Sequence, residues 1–258
     1  MKKYSCYLID LDGTIYRGKE TIESGVEFVH RLDETKIPYL FLTNNTTRTP
    51  EMVVAKLQDH GVKTDVSHIY TPVMATASYL KDKHPRNTPI RIYVIGQIGV
   101  RKGLFSDPRF VLDDQNPEYV IVGMDTDLTY HKIRTACRCI RNGATFIATN
   151  ADKVLPANGE LLPGNGSQCA MIATASGQEP LFIGKPAKPI IDYALKKINK
   201  TKAEMLIVGD YYQTDICAGI NSHIDTLLTL TGVTKKTDLQ SVDVQPTYVV
   251  NNLNEWQL

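Results

Sequence analysis

Short apolar runs alternate with stretches whose apolar residues recur every three or four positions, almost from one end of the chain to the other. The runs read as buried strands and the periodic stretches as helices with one apolar face. Strands are predicted at Tyr4–Ile9, Tyr39–Thr43, Arg91–Ile95, Tyr119–Val122, Thr145–Ala148, Met205–Val208 and Thr226–Leu230. Between them the helical pattern covers Gly25–Asp33, Pro50–His60, Val73–Lys83, Tyr130–Asn142, Ser167–Ala175, Pro189–Asn199 and Thr214–Asn221. Thr49 before Pro50 is a favourable helix start, and Gly61 and Gly143 are favourable stops. The alternation predicts an α/β fold: a Rossmann-like, doubly wound parallel sheet covered by helices on both faces.

Two turn-rich breaks divide the pattern, one at Lys83–Pro89 and one at Ser176–Pro180. Between them lies a self-contained αβ stretch with few of the charged strand ends seen elsewhere. The reading is therefore an insertion. Residues 1–85 and 181–258 form a discontinuous core, and residues 86–180 form a smaller αβ cap domain.

At 258 residues, 42% of them hydrophobic, the chain can bury such a core. The net charge of +1 carries no basic or acidic block, so no nucleic-acid partner and no membrane surface are expected. Five scattered cysteines (Cys6, Cys137, Cys139, Cys169, Cys217) show no zinc spacing and read as reduced, buried thiols. Asp10 and Asp12 interrupt the apolar run that follows the basic start, which argues against a leader peptide, and no apolar stretch approaches the roughly 20 residues of a membrane helix. A cytoplasmic enzyme is expected.

The candidate chemistry sits at strand ends. The first strand stops at Asp10-Leu11-Asp12-Gly13-Thr14, two like charges one residue apart. Carboxylates so placed repel and lose hydration, a conflict that a divalent cation resolves. An aspartate-rich turn is the plainer alternative. Three further apolar runs end in polar groups: Phe41-Leu42-Thr43-Asn44-Asn45, Phe182-Ile183-Gly184-Lys185-Pro186, and Leu206-Ile207-Val208-Gly209-Asp210 followed by Asp215. Each alone reads as a cap or a solvated residue. Together they place acids, a lysine and a hydroxyl where a parallel sheet gathers ligands, at its carboxyl edge.

That set suits phosphoryl transfer, because a carboxylate can attack a phosphate dianion only if the repulsion is neutralised. Mg²⁺ prefers oxygen ligands, which favours Asp10 and Asp210 over the histidines. Asp10 is the expected nucleophile. Asp12 is the acid that protonates the leaving alkoxide and later takes a proton from water. Lys185 compensates charge, Thr43 and nearby amides bind phosphate oxygens, and Asp215 holds metal-bound water or orients Lys185.

At these residues the chain resembles the haloacid dehalogenase superfamily. Asp10-Leu11-Asp12-Gly13-Thr14, Thr43, Lys185, and Gly209-Asp210 with Asp215 match its four motifs in order and spacing. Leu42-Thr43-Asn44-Asn45, Val122-Gly123-Met124-Asp125, Ala148-Thr149-Asn150-Ala151-Asp152, Leu162-Pro163-Gly164-Asn165-Gly166-Ser167 and Ile183-Gly184-Lys185-Pro186 are similar to the NagD-like (p-nitrophenyl phosphatase-like) subgroup with a large αβ cap. The resemblance implies Mg²⁺ held by Asp10, Asp210 and the backbone carbonyl of Asp12. It also implies phosphate and substrate contacts from Asp12, Thr43, Asn44, Lys185, the residue after Asp210, and Asp152 in the cap loop that closes over the leaving group. That residue is often Asn or Arg in the family and is Tyr211 here, whose phenol cannot replace an amide or guanidinium.

The resemblance implies a phosphatase of small phosphomonoesters, sugar or acid-sugar phosphates first, with nucleotides or pyridoxal phosphate as the alternative. A homodimer through the cap is a further implication. A receiver-like phosphoaspartate switch uses similar groups but in a smaller domain and without a second acid such as Asp12. A dehalogenase also lacks that acid, and a phosphomutase usually carries a smaller helical cap after the first motif.

Overall fold

The computed structural model describes residues 2–157 and 160–258 as two compact units. The first unit comprises Met1–Thr43, Glu51–Tyr70 and Lys185–Leu258; the second comprises Asn44–Pro50 and Thr71–Gly184. The first is built on a six-stranded sheet in the order Tyr248–Val250, Asp225–Thr229, Met205–Gly209, Cys6–Ile9, Tyr39–Leu42, Ile69–Tyr70. All its pairings are parallel. The central strands Cys6–Ile9, Tyr39–Leu42 and Met205–Gly209 are buried at every position, so they need apolar residues on both faces, and their sequences are unbroken apolar runs. From Cys6–Ile9 the chain proceeds outward to Tyr39–Leu42 on one side, and later returns to Met205–Gly209 on the other. Strand order therefore reverses at the first strand, the position where open α/β sheets form their ligand crevice.

Register fixes what meets there. Ile9 lies opposite both Val208 and Phe41, which brings Asp10 level with Gly209 and Leu42 at one carboxyl edge. Helix Glu23–Thr35 buries Val26, Phe28, Val29 and Leu32 and ends at Lys36 in the left-handed conformation. The aromatic core continues through Tyr7, Phe28, Phe41 and Trp256, whose indole N–H donates to the Tyr7 hydroxyl.

The second unit holds a five-stranded parallel sheet in the order Leu181–Phe182, Thr145–Ala148, Tyr119–Val122, Ile90–Ile95, Phe110–Leu112. Helices Pro72–Lys83, Ile98–Phe105, Tyr130–Arg141 and Asn165–Ser176 accompany it. Gly61 and Gly143 both adopt positive φ just after helices, the conformation for which their lack of a side chain suits them.

The division differs from the one expected at residue 85. Helix Pro72–Lys83 packs on Ile98–Phe105 within the second unit, and the chain changes unit at Tyr70–Thr71, not in the turn-rich stretch Lys83–Pro89. That stretch is a surface loop inside the unit, and its composition marks a loop without saying what the loop connects. A second difference concerns Lys185. The short strand before it, Leu181–Phe182, pairs with Thr145–Ala148 in the second sheet, so Lys185 is not at an end of a core strand. No helix among the described residues is long and apolar enough to cross a membrane.

Candidate active site

Three core strands deliver Asp10, Thr43 and Asp210 as the residues next after, or one beyond, their last paired positions. The backbone N–H of Asp10 still bonds to Val208 O at 2.9 Å, so the ladder itself holds the residue. Lys185 enters the same place and is 2% exposed. Its ammonium donates to Asp10 Oδ1 at 2.6 Å, Asp215 Oδ1 at 2.7 Å and Leu42 O at 2.7 Å. Acceptors on several sides meet its protons, which is how a buried lysine stays charged.

Asp215 reaches this lysine because Tyr212–Ile216 forms a wide π turn ahead of helix Cys217–Ser222, a replacement for the plain helix predicted over Thr214–Asn221. Its other oxygen, Oδ2, accepts from Tyr211 N at 3.1 Å. Asp210 Oδ2 accepts from Val233 N at 2.6 Å. One carboxylate oxygen each from Asp10, Asp210 and Asp215 lies within 4.8 Å of the other two.

Glycines make the crowding feasible. Gly13 has φ +91°, and a Cβ there would fall 2.3 Å from Asp210 Oδ2; one on Gly232 would fall 1.8 Å from the same atom, and one on Gly209 2.4 Å from Asp215 Oδ2. Thr231 Oγ1 donates to Gly13 O at 2.7 Å, joining two of the loops that surround Asp210.

The electrostatics follow from this packing. Burial, reinforced by the Asp215 carboxylate and opposed by Lys185, pushes the Asp10 carboxyl well above the usual range. Burial and Asp215 together push Asp210 up to about 7. For Lys185, burial works against the charge, but Asp10 and Asp215 outweigh it and hold the ammonium above its ordinary value. With all three acids ionised, the single ammonium would leave two negative charges in a desolvated pocket, a balance that a divalent cation with oxygen ligands would complete.

The remaining predicted residues are placed as follows. Thr43 is buried beside the cluster's strand ends. The Asp12 side chain is 57% exposed and lies 3.7 Å from Lys56 Nζ, outside the three-acid group. The Tyr211 side chain is exposed and lines a cleft of about 530 Å³ with Tyr212, Ile220, Val233 and Val242, and its backbone N–H donates to Asp215. In the second unit, Asn44 Nδ2 lies 3.3 and 3.4 Å from the two carboxylate oxygens of Asp152, and Asn150 Nδ2 donates to Asn44 O at 2.9 Å.

Sequence reasoning overlooked two groups. One is Lys56, whose ammonium also sits 3.5 Å from the Tyr16 ring centre. The other is the loop Thr231-Gly232-Val233, which supplies a donor and space to Asp210. Its signal was available: a threonine and a glycine directly after the apolar strand Thr226–Leu230, the same pattern as at the other strand ends.

With this geometry in hand, comparison with known proteins is informative. Residues 7–106 match the family described as haloacid dehalogenase-like hydrolase, and residues 182–256 match one described as HAD-hydrolase-like. The chain is 42% identical to the 5'-nucleotidase YutF of Bacillus subtilis over 99% of this chain and 98% of that protein. It is 40% identical to an acid sugar phosphatase of Staphylococcus saprophyticus over 99% and 97%. Among solved structures, a double mutant of a thermostable NPPase from Geobacillus stearothermophilus superposes with a TM-score of 0.91 at 43% identity, over 100% of this chain and 99% of that one. NagD of Escherichia coli K-12 also gives 0.91, at 31% identity over 99% of each. Family matches at both ends, full-length relatives and a buried acid–lysine cluster on the reversing strands agree: the chain belongs to the haloacid dehalogenase-like hydrolases, among the NagD-like and p-nitrophenyl phosphatase-like members.

Proposed function

We propose that this chain, a phosphoric monoester hydrolase by its family, cleaves small phosphomonoesters through an aspartyl-phosphate on Asp10, in the presence of Mg²⁺. The observation that carries the reading is the buried Lys185 ammonium bonded at once to Asp10 and Asp215. It sets a cation beside a carboxylate nucleophile and leaves an excess of negative charge for a metal ion.

Asp10 attacks phosphorus as the bond to the leaving oxygen breaks, and Asp12, exposed enough to exchange protons with solvent, protonates that oxygen. Asp12 then takes a proton from water, the water oxygen attacks phosphorus, and the Asp10–phosphorus bond breaks to release phosphate. Lys185 counters the charge on Asp10 and on the phosphoryl oxygens throughout, while Thr43 and adjacent amides hold those oxygens. Asp10, Asp210 and the Asp12 carbonyl would hold the Mg²⁺, with Asp215 in reach of the same cation. When bound, it supplies neutralisation of the substrate dianion.

Asp152 and Asn44 are assigned to the leaving group. The names of the relatives, acid sugar phosphatase and 5'-nucleotidase, support hydroxylated phosphate esters, with sugar and acid-sugar phosphates ahead of nucleotides. A homodimer through the second unit rests on the resemblance. Five unpaired cysteines, four of them buried, fit a reducing compartment such as the cytoplasm.

The test is Asp10→Asn measured on p-nitrophenyl phosphate. The expected result is loss of turnover with an unchanged circular dichroism spectrum; substantial remaining turnover would remove Asp10 from the nucleophile's role. A panel of phosphomonoesters ranked by kcat/KM then identifies the substrate class.

A further inference from the structure

Asp152 is held by its main chain as well as by its side chain. Its N–H donates to Asn150 Oδ1 at 3.2 Å, and its carbonyl accepts from Gly166 N at 2.8 Å. Gly166 lies in the first turn of the helix Asn165–Ser176, whose N-cap residue Gly164 offers no side-chain cap. The loop carbonyls do the capping, and glycines permit the approach: a Cβ on Gly164 would fall 2.2 Å from Asp152 O, and one on Gly166 2.3 Å from Ala151 O.

Asn165, between these glycines, is 2% exposed. Its amide nitrogen donates to Asn150 O at 2.9 Å and lies 3.3 Å from Val122 O and 3.4 Å from Thr149 Oγ1. Its own oxygen finds no hydrogen-bond partner among the described residues. A buried amide that leaves its acceptor unsatisfied is a poor packing element but an effective donor clamp, since it ties two strand ends to one loop. Asn150, one bond away, fixes Asn44 O, and Asn44 fixes the Asp152 carboxylate.

We propose that Asn165, with the glycines beside it, is a positioning residue for substrate choice: it sets the Thr149–Asp152 loop and so the place of the Asp152 carboxylate against Asn44. This deepens the phosphatase reading and rests on it. The physical link is short. A carboxylate that recognises leaving-group hydroxyls selects by hydrogen-bond geometry, and misplacement by a fraction of an ångström weakens a hydrogen-bonded ester more than an aryl ester that offers no hydroxyl.

Two variants test it by different routes. Asn165→Ser removes the clamp's amide, whereas Gly166→Ala keeps the amide and pushes a methyl group against Ala151 O. Each is assayed, with a thermal melt, on p-nitrophenyl phosphate and on the most active ester from a panel of sugar phosphates and nucleoside 5'-monophosphates. The expected result is a rise in KM and a loss of kcat/KM of about tenfold on the hydroxylated ester, with p-nitrophenyl phosphate changed by no more than about twofold. Equal losses on both substrates, unchanged kinetics in a folded variant, or a panel with no hydroxylated ester better than the aryl one would each overturn the proposal. If one variant fails to fold, the other decides. Failure of the phosphatase reading itself would look different, as absence of turnover by the unaltered protein.

Discussion

Asp210 gives the sharpest quantitative expectation, because its environment converts directly into a dependence of stability on pH. It is 1% exposed, and burial with the Asp215 carboxylate raises its pKa from 3.8 to about 7. The folded state therefore binds a proton that the unfolded state releases. Such a group stabilises fully below its unfolded pKa, and the stabilisation is lost as pH rises through the folded value. The window is about pH 4 to 7, and a shift of this size, at 1.36 kcal/mol per unit, corresponds to about 4 kcal/mol. Asp10 shifts in the same direction for the same reason.

For a protein near this size, about 4 kcal/mol displaces Tm by roughly 8–16 °C. Differential scanning calorimetry in chelator should accordingly show Tm falling from pH 4 to 7. If Mg²⁺ takes the ionised carboxylates, as proposed, the increment it adds to Tm should grow over the same interval. The variant Asp210→Asn, which cannot ionise, should flatten much of the chelator profile and separate this group from the remaining carboxylates. A chelated protein whose Tm is level or rises across the window, with a Mg²⁺ increment independent of pH, would refute the reasoning.

Further expectations concern individual groups. Lys185→Met strands the Asp10 and Asp215 carboxylates without their cation, and breaking a buried pair in this way costs about 3–5 kcal/mol; calorimetry near neutral pH should record a Tm loss of roughly 6–20 °C, and a loss of only a degree or two would count against the cluster. Gly232→Ala drives a methyl group onto Asp210 Oδ2, so the Mg²⁺ concentration for half-activation should rise by about 10- to 100-fold; an unchanged activation curve would free Asp210 from the metal. Asp12→Asn should lower steady-state turnover by about 10²- to 10⁴-fold. With a leaving group as good as p-nitrophenolate, the variant should still release a first equivalent in a rapid burst, and linear slow release without a burst would contradict the division of labour between Asp10 and Asp12.

Much of the fold was legible in the chain itself. The buried central strands read as apolar runs because both their faces are covered, and most helices read from their period because only one face is. The gathering of polar strand ends was legible for a related reason. Polar clusters terminating such runs must sit at a sheet edge, and parallel strands share one edge, so Asp10, Thr43 and Asp210 could be grouped by pattern alone. The short strands Ile69–Tyr70, Phe110–Leu112 and Tyr248–Val250 were not legible, because two or three residues carry no period.

Sequence by itself determined the alternation of buried strands and one-faced helices, the parallel α/β class that follows from it, and the order in which polar groups end the apolar runs. Tertiary structure decided who touches whom. Lys185 leaves a strand of the other sheet yet donates to Asp10, Asp215 and Leu42 O, and no local pattern encodes a contact 175 residues apart. The same holds for the boundary at Tyr70–Thr71, for the glycines that make room around Asp210, and for the Asn165 clamp. Periodicity records which face of an element is buried. The identity of the buried neighbour depends on how separate elements pack, and that is settled only when the whole chain has folded.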